Sequence, residues 1–161
     1  MASRILVAGI GNIFLGDDGF GPEVLRHVAG SDGVRATDYG IGGMHLAYDL
    51  LDDWDALVLV DAVPDRGSPG TVHVFEADHE SFDAPVGFDA HSMDPATVFA
   101  SLRALGGTPP RTIVVGCEVA DIAEGIGLSD VVTAAVPEAA AAVESAVAML
   151  RTELADELRE V

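Results

Sequence analysis

At 161 residues the chain has the length of one ordinary domain, enough to bury a sizeable core without disulfides. It carries 27 acidic residues against 8 arginines and no lysine, and the resulting net charge of -19 makes nucleic acid and anionic membrane surfaces poor partners. The lone cysteine, Cys117, excludes an internal disulfide framework and a thiolate metal cluster.

A lone cysteine fits a reducing cytoplasm, and the longest apolar run, around residues 56–63, is too short to span a bilayer. No positively charged start leads into an uninterrupted apolar stretch, so the expectation is a soluble, cytoplasmic protein.

The first element is an apolar run from Arg4 to Ile10, the profile of a strand buried on both faces of a parallel sheet. It feeds the stretch GIGNIFLGDDGFG (9–21), and Pro22 then occupies the first turn of a helix carrying Val24, Leu25 and Val28. A strand delivering a Gly-x-Gly turn invites a dinucleotide reading. Two features oppose it: the third glycine's position holds Phe14, and Asp17 and Asp18 stand where a phosphate would lie. Two carboxylates there repel an anion and suit a cation, or one of them caps the helix start.

Residues 34–38 form a second short strand, broken by Gly40, Gly42 and Gly43 before a second helical pattern through Met44, Leu46, Ala47, Leu50 and Leu51. Residues 56–63 read as the central strand, ending on Asp61. After turn chemistry at 65–69, residues 71–75 alternate as a half-buried strand. They follow too closely for a helical crossover, which predicts an antiparallel edge strand.

The stretch 78–94 shows no period and reads as an ordered loop, with His73, His79 and His91 within its reach. Asp94 is the expected N-cap of a helix through Val98, Phe99, Leu102 and Leu105, ended by Gly106 and Gly107. Residues 111–116 give another buried strand. Ser129 is the expected cap of a helical segment that Pro137 interrupts or restarts before an alanine-rich helix over 139–158. No repeat or linker divides the chain, so the expectation is a single domain over 1–161. Its architecture is a three-layer αβα sandwich around a mostly parallel sheet of about five strands, one of them an antiparallel edge strand.

In such a sheet functional groups gather outside the carboxyl ends of the strands. Asp18, after the first strand, and Asp61, ending the third, both belong there, and two close carboxylates call for a cation or a shared proton. His91, in the local motif DAHSMDP, is the histidine expected to join them. Two oxygens and an imidazole suit Zn, Ni, Mn or Fe and leave room for a substrate atom. Asp38 ends the second strand, either as a general base or as a carboxylate capping the glycine turn behind it. Cys117 reads as a small buried hydrophobe, and His45 has no evident partner.

Taken together, GIGNIFLGDDGFG, DYGIGG, LVLVDAV, PGTV, DAHSMDP and VVGCE resemble the nickel-iron hydrogenase maturation endopeptidases over nearly the whole chain. The resemblance implies an endopeptidase, aspartic-type by the family's classification. It would remove a C-terminal peptide from the hydrogenase large-subunit precursor after metal insertion. It also implies that Asp18, Asp61 and His91 recognise nickel supplied by the substrate, that no cofactor is tightly bound, and that Asp38 is a further characteristic acid.

Tyr39 and Ile41 replace the Gly and Thr of the commoner turn, and Gly42 replaces an Arg of one branch. These departures bear on substrate subtype, not reaction class. The chain has no GxSxG elbow, no HExxH helix and no cysteine with a paired histidine motif. Two alternatives use the same residues: a small-molecule hydrolase with a resident metal, and a non-catalytic module that binds the metallated subunit.

Overall fold

The computed structural model describes residues 3–79 and 95–160. Five strands, β1 (Ile5–Ile10), β2 (Val34–Gly40), β3 (Ala56–Val63), β4 (Val72–Glu76) and β5 (Arg111–Glu118), form one sheet in the order β2-β1-β3-β5-β4. The first three and β5 run parallel, while β4 pairs antiparallel with β5 at the edge, as the short connection requires. The unbroken apolar runs translate directly: every residue of β1 is buried, and so is β3 from Ala56 to Asp61.

Helices cover both faces. On one face Val7, Val58, Val60 and Val115 pack against Phe20 and Val24 of α1 (Phe20–Leu25) and Ala139, Val143 and Leu150 of α4 (Asp130–Arg159). On the other, Leu6, Ala8, Leu57 and Leu59 meet Leu46 and Ala47 of α2 (Gly43–Asp49) and Val98, Phe99 and Leu102 of α3 (Pro95–Ala104). Each such buried side chain contributes about 1.5–3 kcal/mol of transfer free energy. Strand parity therefore sorts the site residues as well as the core. Asp61 continues the Leu57 and Leu59 row towards α2 and α3, and Asp38, in register with Gly9 and through it with Val60, belongs to the α1 and α4 face.

Several expectations are corrected. Pro137 neither interrupts nor restarts a helix: α4 runs unbroken for 30 residues, because Val132, Ala135 and Val136 before the proline or beside it and Ala139 and Val143 after it all pack into one core. By length and composition α4 could cross a bilayer, and this buried face accounts for its apolar character. Ser129 occupies the N-cap position in an extended conformation but makes no cap hydrogen bond, its hydroxyl being committed to Asp17. Strand β4 is more exposed than half-buried, with Val74 and Phe75 open to solvent on an edge paired on one side only. The proposed loop beyond His79, His91 and the Asp94 cap lie outside the described residues.

A candidate active site at the carboxyl ends of the strands

The chain leaves β1 through Gly11, whose N–H donates to the Gly40 carbonyl at 2.9 Å, and passes a 3-10 turn at Gly16–Gly19 before entering α1. Gly21 seats α1 directly on the strand ends. A Cβ there would lie 2.4 Å from the Ile10 carbonyl oxygen and 2.5 Å from that of Val60. The 3-10 turn consequently packs against β3 as well as α1. Asp18 sits half-buried on this turn, its Oδ2 accepting the Asn12 N–H at 2.8 Å.

Asp61, on β3 beside β1, is 6% exposed and lines a cavity of about 500 Å³ together with Arg66, His73, Phe75, Pro95 and Glu118. Asp18 and Asp61 thus stand at the carboxyl ends of neighbouring parallel strands. Among the described residues no three His, Cys, Asp or Glu side chains are gathered to hold a metal ion, and the expected third ligand, His91, is outside them.

Neither Asp17 nor Asp18 caps α1, whose N-cap is Gly19. Asp17 instead is fully buried and accepts four hydrogen bonds, from the N–H groups of Ala120, Asp121 and Ser129 and from the Ser129 hydroxyl, at 2.7–2.9 Å. Backbone bonds from Gly16 to Gly125 and from Gly125 back to Phe14 complete the clamp. Burial alone would raise the Asp17 carboxyl, but these donors outweigh it and hold the group below the usual carboxylate range. The clamp fixes the loop after β5 against the turn that carries Asp18.

Asp38 caps the glycine turn, its Oδ1 accepting the Gly40 N–H at 2.8 Å. It also borders a groove of about 550 Å³ lined by Ile13, Pro22, Glu23, Ile126 and Val136, on the sheet face opposite the Asp61 cavity. Cys117 is buried, and burial with nearby carboxylates pushes its thiol up to about 11, which removes it as a thiolate nucleophile. Tyr39 is a core residue whose hydroxyl donates to Asp49 at 2.6 Å, whereas Ile41 is exposed, so of the two departures only Ile41 presents an apolar surface to solvent.

The remaining histidines separate. His45 meets Tyr39 edge-on and lies 3.7 Å from Asp49. His79 approaches the Pro110 carbonyl and the Thr112 hydroxyl and packs edge-on against Phe99, a structural placement in which burial pushes its imidazole down. His73 enters the Asp61 cavity, 2.7 Å from the buried Glu118. The sequence reading missed Glu118, although it ends an apolar strand just as Asp61 does.

Residues 23–146 match the HycI family, described as hydrogenase maturation protease. The chain is 34% identical over 157 residues to the hydrogenase expression/formation protein HupD of Rhizobium leguminosarum bv. viciae, covering 94% of this chain and 76% of that protein. It is 30% identical over 154 residues to the hydrogenase 2 maturation protease of Escherichia coli K12, covering 92% and 91%. The hydrogenase maturating endopeptidase HybD from E. coli superposes with a TM-score of 0.77 at 29% identity, over 91% of this chain and 93% of that one. The HybD [NiFe] hydrogenase maturation protease from Thermococcus kodakarensis gives 0.69 at 27%, over 88% and 97%. The same mixed sheet, the carboxylates at its strand ends and the match across most of the chain agree: this protein belongs to the hydrogenase maturation protease family.

Proposed function

We propose that the protein removes a C-terminal peptide from the large-subunit precursor of a nickel-iron hydrogenase after metal insertion, and that Asp18, Asp61 and His91 contact the nickel carried by that substrate. The observation that carries the reading is the pair Asp18 and Asp61 at the ends of adjacent strands, with Asp61 nearly buried yet opening on a cavity. A carboxylate in that position is stabilised by a cation and destabilised by its carboxylate neighbour. Carboxylate and imidazole donors match a borderline divalent ion, and an incomplete donor set suits an ion that arrives with its substrate.

A substrate-borne cation polarising the scissile carbonyl would stabilise developing oxyanion charge without an acyl-enzyme. The high pKa of Cys117 agrees with a mechanism that uses no thiolate. Cytoplasmic action on a folded, metal-loaded precursor completes the reading. Mass spectrometry of a nickel-loaded precursor before and after incubation with the protein tests it. Loss of a single C-terminal peptide is expected, and an unchanged mass overturns the proposal.

A further inference from the structure

Asp61, Gly116 and His73 are register partners across three neighbouring strands, β3, β5 and β4, so all three stand abreast on the α2 and α3 face of the sheet. Neighbouring strands lie about 4.8 Å apart, which puts roughly 10 Å between the backbones of Asp61 and His73. The residue between them is a glycine. A Cβ at Gly116 would lie 2.8 Å from Val63 Cγ1, and any larger side chain would project between the two flanking groups. The cavity these residues line therefore has a carboxylate on one side and an imidazole on the other, with an open floor between.

The imidazole is held from behind. Glu118 is 3% exposed, its Oε1 accepts the N–H groups of Arg66 at 2.7 Å and Ser68 at 3.3 Å, and its Oε2 lies 2.7 Å from His73 Nε2. The His73 hydrogen bond, followed by the Arg66 N–H, holds the Glu118 carboxyl below its usual range. An ionised carboxylate can only accept, so Nε2 carries the proton and Nδ1 keeps the lone pair. A carboxylate that fixes the tautomer and orientation of a half-exposed imidazole is the arrangement that general-base catalysis requires. The structural work of Glu118, tying residues 66–68 to the end of β5, is already done by the two backbone donors and does not need a histidine.

We propose that His73 is a catalytic residue of the Asp61 cavity, taking and returning the proton in peptide hydrolysis, with Glu118 as its positioning residue; this rests on the endopeptidase reading above. Water forms the new C–O bond at the scissile carbonyl carbon while one of its protons moves to His73 Nδ1. The C–N bond then breaks and that proton passes to the departing nitrogen. The processed subunit keeps a carboxyl group and the released peptide gains an amine.

The test uses the full-length protein and a nickel-loaded precursor, with cleavage followed by mass and unfolding midpoints measured on the same preparations. His73→Gln keeps a donor for Glu118 but cannot take a proton. It is expected to lower kcat by about 10²-fold or more with KM and the midpoint little changed. His73→Ala, on an exposed edge strand, serves as a second variant with the same expected loss. Glu118→Gln is expected to lower kcat about tenfold without raising KM. Wild-type kcat in either folded His73 variant overturns the catalytic role, and unchanged kcat in Glu118→Gln overturns the positioning role. A wild-type protein that leaves the precursor intact overturns the endopeptidase reading and this inference together.

Discussion

At the carboxyl end of the sheet, the clamp beside the start of α4 surrounds Asp17 with four donors from the chain's own loop, whereas the cavity on the α2 and α3 face lets Asp61 line an open wall. Both carboxylates are nearly inaccessible to solvent, so burial alone does not separate a structural acid from a functional one. What separates them is the arrangement of the surroundings. Asp17 has its lone pairs used by Ala120, Asp121 and Ser129 and lines no cavity described above. Asp18, one residue further on, is bound by a single backbone N–H and stays half-exposed. Two adjacent, chemically identical side chains thus divide the labour: one builds the platform and the other is presented on it.

The largest effect that would sharpen this contrast is on activity. Asp61→Ala should lower cleavage on the order of 10³-fold, the size expected when a charged group that stabilises the transition state is removed. Its unfolding free energy should move by less than about 1 kcal/mol, since relief of repulsion between close carboxylates offsets lost contacts. A variant that unfolds before it loses activity would place Asp61 with Asp17 instead.

Asp17→Ala should behave in the opposite way, losing about 3 kcal/mol of stability as the buried donors of 120–129 lose their acceptor. Denaturant unfolding with an unchanged m-value checks this. The pH dependence carries the same signature. The folded-state pKa of Asp17 is lowered, so its contribution is present above the unfolded value of about 3.9 and is lost as pH falls through the folded value. The stability gap between wild type and Asp17→Asn should therefore narrow as pH drops below about 4, and a gap that widens there would contradict the clamp.

Gly21→Ala tests whether the two regions share one platform. Its Cβ would press on the Ile10 and Val60 carbonyls, displacing α1 and the turn that carries Asp18 at a cost of about 2–3 kcal/mol. Cleavage should fall even in the protein that remains folded. The smallest stability change is expected at Asp38→Ala, below about 1 kcal/mol, because the lost hydrogen bond is exposed and local. A cleavage loss as large as that of Asp61→Ala would show that the Asp38 groove acts in the reaction and not only in the glycine turn.

The fold was readable because its strands announce themselves as uninterrupted apolar runs and its helices as 3.6-residue patterns, and the short link between β3 and β4 dictated the antiparallel edge. Asp18 and Asp61 were readable for a related reason, since each follows or ends a buried strand. The Asp17 clamp was not, because its partners lie 103–112 residues away and local sequence offers only a plausible cap. Ser129 misled for the same cause: its extended conformation fits an N-cap, but a distant carboxylate captures the hydroxyl. Pro137 was overridden by packing on both sides. Glu118 and His73 needed the β3-β5-β4 register, which no pattern within either strand reveals.

The central claim is that the carboxylates at the strand ends read the metal on the substrate. The most direct measurement is the affinity of wild-type and Asp61→Ala proteins for the same large-subunit precursor with and without nickel. The account predicts that wild type binds the nickel-loaded precursor at least about tenfold more tightly, and that this preference collapses towards unity in folded Asp61→Ala. A variant that keeps the full wild-type preference for the nickel-loaded form would contradict the account.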